Sequence, residues 1–267
     1  MNEDQNGKPS RRKLFIAEMI GTALLLLIGL SSVILMFGEG NPFEELIPSL
    51  AMRRALNGFF FGAVGATIAV SQIGKVSGAH VNPIVTMLFW LMGKLTGRAA
   101  IGYVIAQFMG AVLGCLPLFV WGSMGRSISF GATVPAEGYS NLTAVMGEIL
   151  TTFGLIAALI MFLAFHRLRH FTPAMIPCLF AVMVPLEAGI SGTSVNPARS
   201  FGPAVISGVW QGWWIYWVGP LVGGLLAILV CNSFAKRIEV AKLYHFDSDP
   251  EGLIRRVQRP QVALPPT

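Results

Sequence analysis

Long apolar stretches separated by short polar segments dominate the sequence. Because the hydrocarbon core of a bilayer is about 30 Å thick, a helix that crosses it needs roughly 20 mostly apolar residues. Six stretches come close to that length and predict six transmembrane helices, at 14–37, 50–72, 99–121, 143–165, 173–190 and 212–234. The first is too long for a cleaved signal peptide, whose apolar region has about 7–15 residues. The pattern therefore predicts an all-α membrane protein.

Two further apolar segments, 82–92 and 196–206, are too short to cross a bilayer. Each begins with Asn-Pro after a loop rich in serine and glycine. Asparagine is a favoured helix N-cap and proline a favoured first helical residue, so both segments are predicted to be half-length helices. A chain that enters a membrane only partway must be surrounded by protein or by a water-filled cavity. Two re-entrant half-helices therefore indicate an interior pathway.

The composition agrees with a membrane protein and excludes other classes. Hydrophobic residues make up 54% of the chain and charged residues only 12%. A soluble domain has about twice that charged fraction, and a disordered chain has low hydrophobicity. The three cysteines are too few and too scattered for a disulfide framework or a zinc cluster. The four histidines are not spaced as metal ligands and no catalytic motif is present, so we expect neither an enzyme nor a cofactor.

The positions of the basic residues predict the orientation. With six crossings, both termini lie on one side, and that side carries all but four of the 19 lysines and arginines. The four on the opposite side are Arg53, Arg54, Arg126 and Arg199. By the positive-inside rule, both termini are predicted to be cytoplasmic. The net charge of +6 is thus a feature of topology, and no basic stripe with interleaved aromatic residues suggests a nucleic acid partner.

An internal repeat relates the two halves of the chain. Residues 77–83 and 191–197 are identical at five of seven positions, with an offset of 114, and Glu18 and Glu148 occupy similar places near the start of a span. Each half reads helix, helix, half-helix, helix. Because three crossings is an odd number, the second half must be inverted relative to the first. The half-helices then enter from opposite sides and meet near the midplane, where inverted-repeat proteins have their functional sites.

These boundaries predict one membrane domain with two terminal segments. Residues 1–13 are predicted to be a cytoplasmic N-terminal segment and residues 235–267 a cytoplasmic tail. Residues 14–234 are predicted to form the membrane domain around the interior pathway, with repeats over about 14–121 and 143–234.

The sequence resembles the aquaporin and aquaglyceroporin (major intrinsic protein) family over roughly residues 14–234. The paired Asn-Pro-Ala boxes of that family correspond to Asn82-Pro83-Ile84 and to Asn196-Pro197-Ala198, which Arg199 follows. The resemblance implies six transmembrane helices and two re-entrant half-helices whose boxes line a pore. Ile84 stands where the family has alanine, which bears on the width of the central constriction.

The resemblance also implies an outer selectivity filter. Arg199 follows the second box and is expected to donate hydrogen bonds and repel cations there. Family spacing assigns Thr193 and Val184 to the filter, and the fourth position falls on Phe61 or on Gly62. Strict water channels usually have histidine where this chain has Val184, so the filter is expected to be wider and less polar than theirs.

Three further residues are expected to support the re-entrant loops. The resemblance implies that Glu18 and Glu148 accept hydrogen bonds from the loop backbones, whose donors need partners in a membrane. His80 has two interpretations: it lines the pore and its protonation biases gating, or it packs the first loop against neighbouring helices.

The resemblance favours water as the solute. Ser200, Ala204 and the pair Tyr216-Trp217 are typical of water channels, and glycerol facilitators differ at these positions. A channel for glycerol, urea or ammonia is the alternative, and a coupled secondary transporter is a remote one. The expected partners are water, small neutral solutes and the lipid bilayer, and the expected assembly is a homotetramer in the plasma membrane.

Overall fold

The computed structural model describes residues 10–238 and 242–244, and these ranges contain helices and turns but no strand. The α-helices are, in chain order, α1 (Arg11–Phe37), α2 (Phe43–Leu46), α3 (Leu50–Val70), α4 (Gln72–Ser77), α5 (Pro83–Leu91), α6 (Gly97–Cys115), α7 (Gly122–Ser127), α8 (Asn141–Ala164), α9 (His166–Arg169), α10 (Thr172–Glu187), α11 (Pro197–Ser207), α12 (Ile215–Val230) and α13 (Asn232–Ala235).

Six of these helices lie where the apolar stretches predicted spans: α1, α3, α6, α8, α10 and α12. Among the described residues, three helical stretches are long and apolar enough to cross a membrane by length and composition. They are α1, α8 and the continuous run Gly97–Ser127 that begins with α6. The helices α10 and α12 are shorter, with 16 residues each.

The two half-helices begin at the predicted Asn-Pro pairs. Helix α5 has 9 residues and α11 has 11, and in each the proline occupies the first turn. The side chains of Asn82 and Asn196 cap them by accepting backbone N–H groups of the first turn. Local capping chemistry is thus sufficient to start both helices at the required residue.

The packing of the long helices repeats between the two halves. Helices α1 and α6 of the first half and helices α8 and α12 of the second half form extensively packed pairs, and α3 packs on α10 across the halves. In the first pair Gly110 lies directly against the backbone of Met19, and in the second Gly223 lies against that of Ile149. A side chain at either glycine would meet that backbone, so the absence of a Cβ allows the helices to approach closely.

The structure differs from the predicted boundaries at three points. Helix α1 begins at Arg11, within the predicted N-terminal segment, because the Ser10 hydroxyl caps it. The third span ends as an α-helix at Cys115 and continues as a 3₁₀-helix over Leu116–Trp121, where Pro117 lacks the N–H that an α-helix needs. The described part of the predicted tail includes packed residues, since Ile238 is 1% exposed and Leu243 is 5% exposed. Residues 1–9, 239–241 and 245–267 lie outside the described residues.

Candidate functional site

The two Asn-Pro boxes meet in the interior and hold each other. The Asn82 Nδ2 group donates to the carbonyl of Val195 (2.9 Å), and the Asn196 Nδ2 group donates to the carbonyl of Val81 (2.9 Å). Their Oδ1 atoms accept from the backbones of α5 and α11, respectively. An amide nitrogen has two protons, so each asparagine retains a second N–H after this exchange.

Both asparagines line a cavity inside the bundle. The space open to the centres of water molecules in it is about 70 Å³, which is enough for several waters. Its wall combines apolar and polar residues. The apolar part includes Leu25, Val85, Leu155, Leu159 and Ile176, and the polar part includes His80, Asn82, Ser194, Asn196 and Arg199.

The remaining residues of the boxes are buried beside this cavity. Pro83 and Pro197 begin α5 and α11, and Ala198 is fully buried. The Ile84 side chain packs against Gly224 of α12, and Ile84 is not among the residues described as lining the cavity. In this geometry the isoleucine fills a contact between helices, and Gly224 provides the room for it.

Each re-entrant loop is held in a strained backbone conformation. Ala79, Val81, Thr193 and Val195 all have φ near +50° (52°, 42°, 50° and 50°), and the two pairs occupy equivalent places in the repeat. A left-handed conformation at a non-glycine residue costs on the order of 1–3 kcal/mol and persists only where the surroundings enforce it. Partners outside the loops must therefore hold them in place.

Glu18 and Glu148 are these partners. Glu18 accepts from the N–H groups of His80 (2.9 Å) and Val81 (2.8 Å) and from the Gln107 side chain (2.9 Å). Both glutamates are completely buried. Each carboxylate thus satisfies two loop donors that would otherwise be unpaired in the membrane interior.

Glu148 repeats this arrangement in the second half. It accepts from the N–H groups of Ser194 (2.7 Å) and Val195 (2.8 Å) and from the Ser191 hydroxyl (2.7 Å). The Ser191 hydroxyl also lies 2.5 Å from the carboxylate of Glu187. Because a hydroxyl has one proton, the second of these contacts is a hydrogen bond only if one of the two carboxyl groups carries a proton.

His80 both packs against neighbouring side chains and lines the cavity. Its ring stacks on Phe89 at a centroid distance of 4.5 Å, and its Nδ1 atom lies 3.3 Å from the Thr86 hydroxyl. It also belongs to the cavity wall and is 1% exposed. The packed contacts support a structural role for the ring, and its place in the wall keeps the pore-lining role open.

A second cavity, with about 40 Å³ open to water centres, adjoins the first and shares Phe61, Phe180, Ser194 and Arg199 with it. It brings the predicted filter residues together, since Val184 and Thr193 line it as well. The Arg199 guanidinium lies 5.8 Å from the centre of the Phe61 ring and donates to the carbonyl of Gly131 (2.7 Å). Gly62 packs against the backbone of Pro177 in α10. Gly62 lines only the first cavity, whereas Phe61 lines both and is the one of the two whose ring lies beside the Arg199 guanidinium.

Asn57 and Phe180 are among the residues of this cavity that the sequence analysis missed. Asn57 lines it and lies 2.9 Å from the Ser32 hydroxyl, and Phe180 forms part of its wall. An amide within an apolar span was a signal for Asn57, because polar groups in a membrane helix usually have a partner or a function. The carbonyl of Gly131, which orients Arg199, belongs to a loop whose position no local pattern predicts.

Comparisons with known proteins agree with this geometry. A sequence model of the family described as "Major intrinsic protein" matches residues 6–231. The chain is 35% identical to Aquaporin TIP1-1 of Arabidopsis thaliana over 86% of its own length and 90% of the relative's. It is 34% identical to Aquaporin AqpM of Methanothermobacter marburgensis, over 82% and 96% of the two lengths.

The fold is also found in a solved structure. The X-ray structure of the aquaglyceroporin from Plasmodium falciparum matches with a TM-score of 0.60 at 21% identity, covering 85% of this chain and 96% of that one. This likeness confirms the predicted fold class of six spans and two half-helices. The extent of the family match and the identity to the two relatives lead to one conclusion: the chain belongs to the major intrinsic protein family.

Proposed function

We propose that the protein is a passive membrane channel that conducts water in single file and excludes ions and protons. The observation that carries this proposal is the meeting of Asn82 and Asn196 in a narrow cavity that continues to Arg199. Membership of the family and the names of the two relatives, both aquaporins, support water as the solute.

The exclusion of protons follows from the ends of the half-helices. The N-terminus of a helix carries a partial positive charge, and two such ends face the cavity centre. The second N–H groups of Asn82 and Asn196 donate to the oxygen of a passing water. Both lone pairs of that oxygen are then occupied, so it cannot accept a hydrogen bond from a neighbouring water and a proton cannot hop through it. Hydrogen-bond donors and positive helix ends at the centre of a pore are a known means of excluding protons and cations.

The filter provides the second barrier. Arg199 places a fixed positive charge in the outer cavity, and Thr193, Asn57 and the arginine offer hydrogen bonds to water. Phe61 and Val184 form its apolar surface. Small neutral solutes are the second class to be tested, because valine leaves more room than a large polar side chain.

We further propose a location and an assembly. The distribution of lysine and arginine supports cytoplasmic termini, with 14–234 as the channel domain and 1–13 and 235–267 as cytoplasmic segments. Large apolar side chains on the outer surface, such as Ile101, Leu150 and Leu229, fit contact with lipid or with other subunits. The resemblance to the family supports a homotetramer in the plasma membrane.

The function is tested by reconstituting the full chain in liposomes and following their shrinkage after an osmotic step by stopped-flow light scattering. We expect faster shrinkage than in empty liposomes, a low activation energy and no effect of ionophores. Glycerol, urea, ammonia and hydrogen peroxide are measured alongside to define selectivity. Shrinkage at the rate of empty liposomes would refute a water channel, and ionophore-sensitive accumulation against a gradient would indicate a coupled transporter.

A substitution in the filter tests its position. Val184→His introduces a larger polar side chain into the cavity that Arg199 lines and is expected to reduce the flux of glycerol and urea by about tenfold, or ~1.4 kcal/mol in the barrier, with a smaller effect on water. Val184→Ile adds bulk without a polar group and separates the two contributions. Solute fluxes equal to those of the unmodified chain would place the filter elsewhere.

A further inference from the structure

A segment near the C-terminus lies beside the first re-entrant loop and contributes to the wall of the central cavity. Leu243 is 5% exposed and lines the same cavity as His80, Val81 and Asn82. It belongs to the main apolar core of the molecule, together with Ile238. A leucine side chain thus lies in the wall of the central cavity rather than on the surface.

The segment is held by two carbonyls at the C-terminal end of α4, that of Lys75 within the helix and that of Gly78 directly after it. The Leu243 N–H donates to the carbonyl of Gly78 (3.1 Å), and the Lys242 ammonium donates to the carbonyl of Lys75 (2.6 Å). The carbonyls in the last turn of a helix lack partners within the helix and carry a partial negative charge. A lysine followed by a leucine fits this site, since the cation meets the helix end and the apolar side chain enters the cavity.

The residues that hold the segment lead directly into the first re-entrant loop, which lines the pore. Gly78 leads directly into Ala79 and Val81, the residues of the first re-entrant loop with positive φ, and Tyr103 holds the carbonyl of Ser77 (2.7 Å). The tail therefore binds at Gly78, which lies only three residues before the pore-lining residue Val81 in the chain. The family match ends at residue 231, so the segment lies outside the part of the chain that defines the channel.

We propose that the end of the pore beside Gly78 is a binding site for the chain's own segment Lys242–Tyr244. We further propose that Leu243 closes the pore when the segment is bound. This rests on the proposed function. An apolar side chain across a single-file water path offers no hydrogen bonds, and hydrophobic constrictions close pores by expelling water. Release of the segment opens the path, so the tail regulates the channel.

Leu243→Ala in the full chain tests the closure. Removal of a buried leucine side chain weakens such a contact by about thirtyfold or more, so we expect water permeability per channel to rise at least severalfold. Lys242→Gln is expected to give a smaller rise. Leu243→Met, which retains the apolar bulk, and Leu229→Ala, on the outer surface, are the matched controls and should conduct like the unmodified chain.

The outcomes separate the two proposals. Equal water permeability in the unmodified chain and in Leu243→Ala, both above empty liposomes, would overturn the closure and leave the water channel intact. Permeability at the level of empty liposomes in every variant would overturn the channel and the closure with it.

Docking of the segment is measured without any flux. In a chain with Cys115, Cys178 and Cys231 replaced by serine, Leu243→Cys is expected to react at least about tenfold more slowly with a membrane-impermeant maleimide than Lys236→Cys, because Lys236 is exposed and Leu243 is buried. Addition of detergent and denaturant should make the rates equal. Equal rates in the native channel would overturn the docking.

Discussion

Glu148→Gln is expected to destabilise the channel by about 2 kcal/mol or more and to abolish most of its water permeability. The carboxylate accepts the N–H groups of Ser194 and Val195 and the Ser191 hydroxyl. An amide has one oxygen, and its NH₂ group would face a loop donor that needs an acceptor. Each buried donor left unpaired costs about 1–3 kcal/mol, and the strained residues Thr193 and Val195 would lose the partner that holds them.

The measurement combines thermal unfolding in detergent with stopped-flow permeability in liposomes. Glu18→Gln tests the equivalent position of the first repeat and should act in the same direction, because Glu18 also accepts three donors. Glu137→Gln, at an exposed loop position, removes the same charge without these contacts and is expected to have no effect. A Glu148→Gln channel with the stability and permeability of the unmodified chain would show that the second re-entrant loop keeps its conformation without the carboxylate.

Arg199→Val is expected to open the filter to protons or cations and to larger neutral solutes. At about 5 Å and an effective dielectric constant of about 20, one fixed positive charge raises the energy of a passing cation by roughly 3 kcal/mol, or about a hundredfold in rate. Removal of the guanidinium also widens the cavity between Phe61, Val184 and Thr193. Both effects act on the same step, so we expect a large rise in leak with little change in water flux.

Proton entry is followed with a pH-sensitive dye trapped in the liposomes, and glycerol entry by light scattering. Arg199→Lys retains the charge but loses the planar group that faces Phe61 and contacts Gly131, so it should continue to exclude cations while its solute selectivity changes. Arg126→Val, at an exposed position, controls for the loss of one positive charge. Unchanged proton and glycerol entry in Arg199→Val would mean that the central asparagines provide the whole barrier.

The parts of the site that follow local rules were predictable. Asn-Pro pairs start helices, and both half-helices begin at the residues that the pairs indicated. Long apolar stretches form helices, and the spans lie near their predicted places because the thickness of a bilayer determines their length. The inversion of the second half follows from the odd number of crossings in each repeat.

The parts that depend on neighbours from distant segments were not predictable in this way. The alternatives Phe61 and Gly62 differ by one residue, which is about 100° around a helix, and only the packing of the helices shows that the Phe61 ring lies beside the Arg199 guanidinium while Gly62 packs on Pro177. Ile84 was expected to bear on the pore width, and its contact with Gly224 of the last span places it between helices.

The sequence by itself therefore determined the number of spans, the two half-helices, the repeat and the residues that meet at the pore centre. Helix capping, hydropathy and the odd number of crossings in each repeat depend only on the order of residues along the chain. Only the tertiary structure decided which side chain faces the filter arginine, which donors each buried glutamate accepts and where Leu243 lies. These are distances between residues far apart in the chain, such as Gly78 and Leu243, and the packing of whole helices sets them.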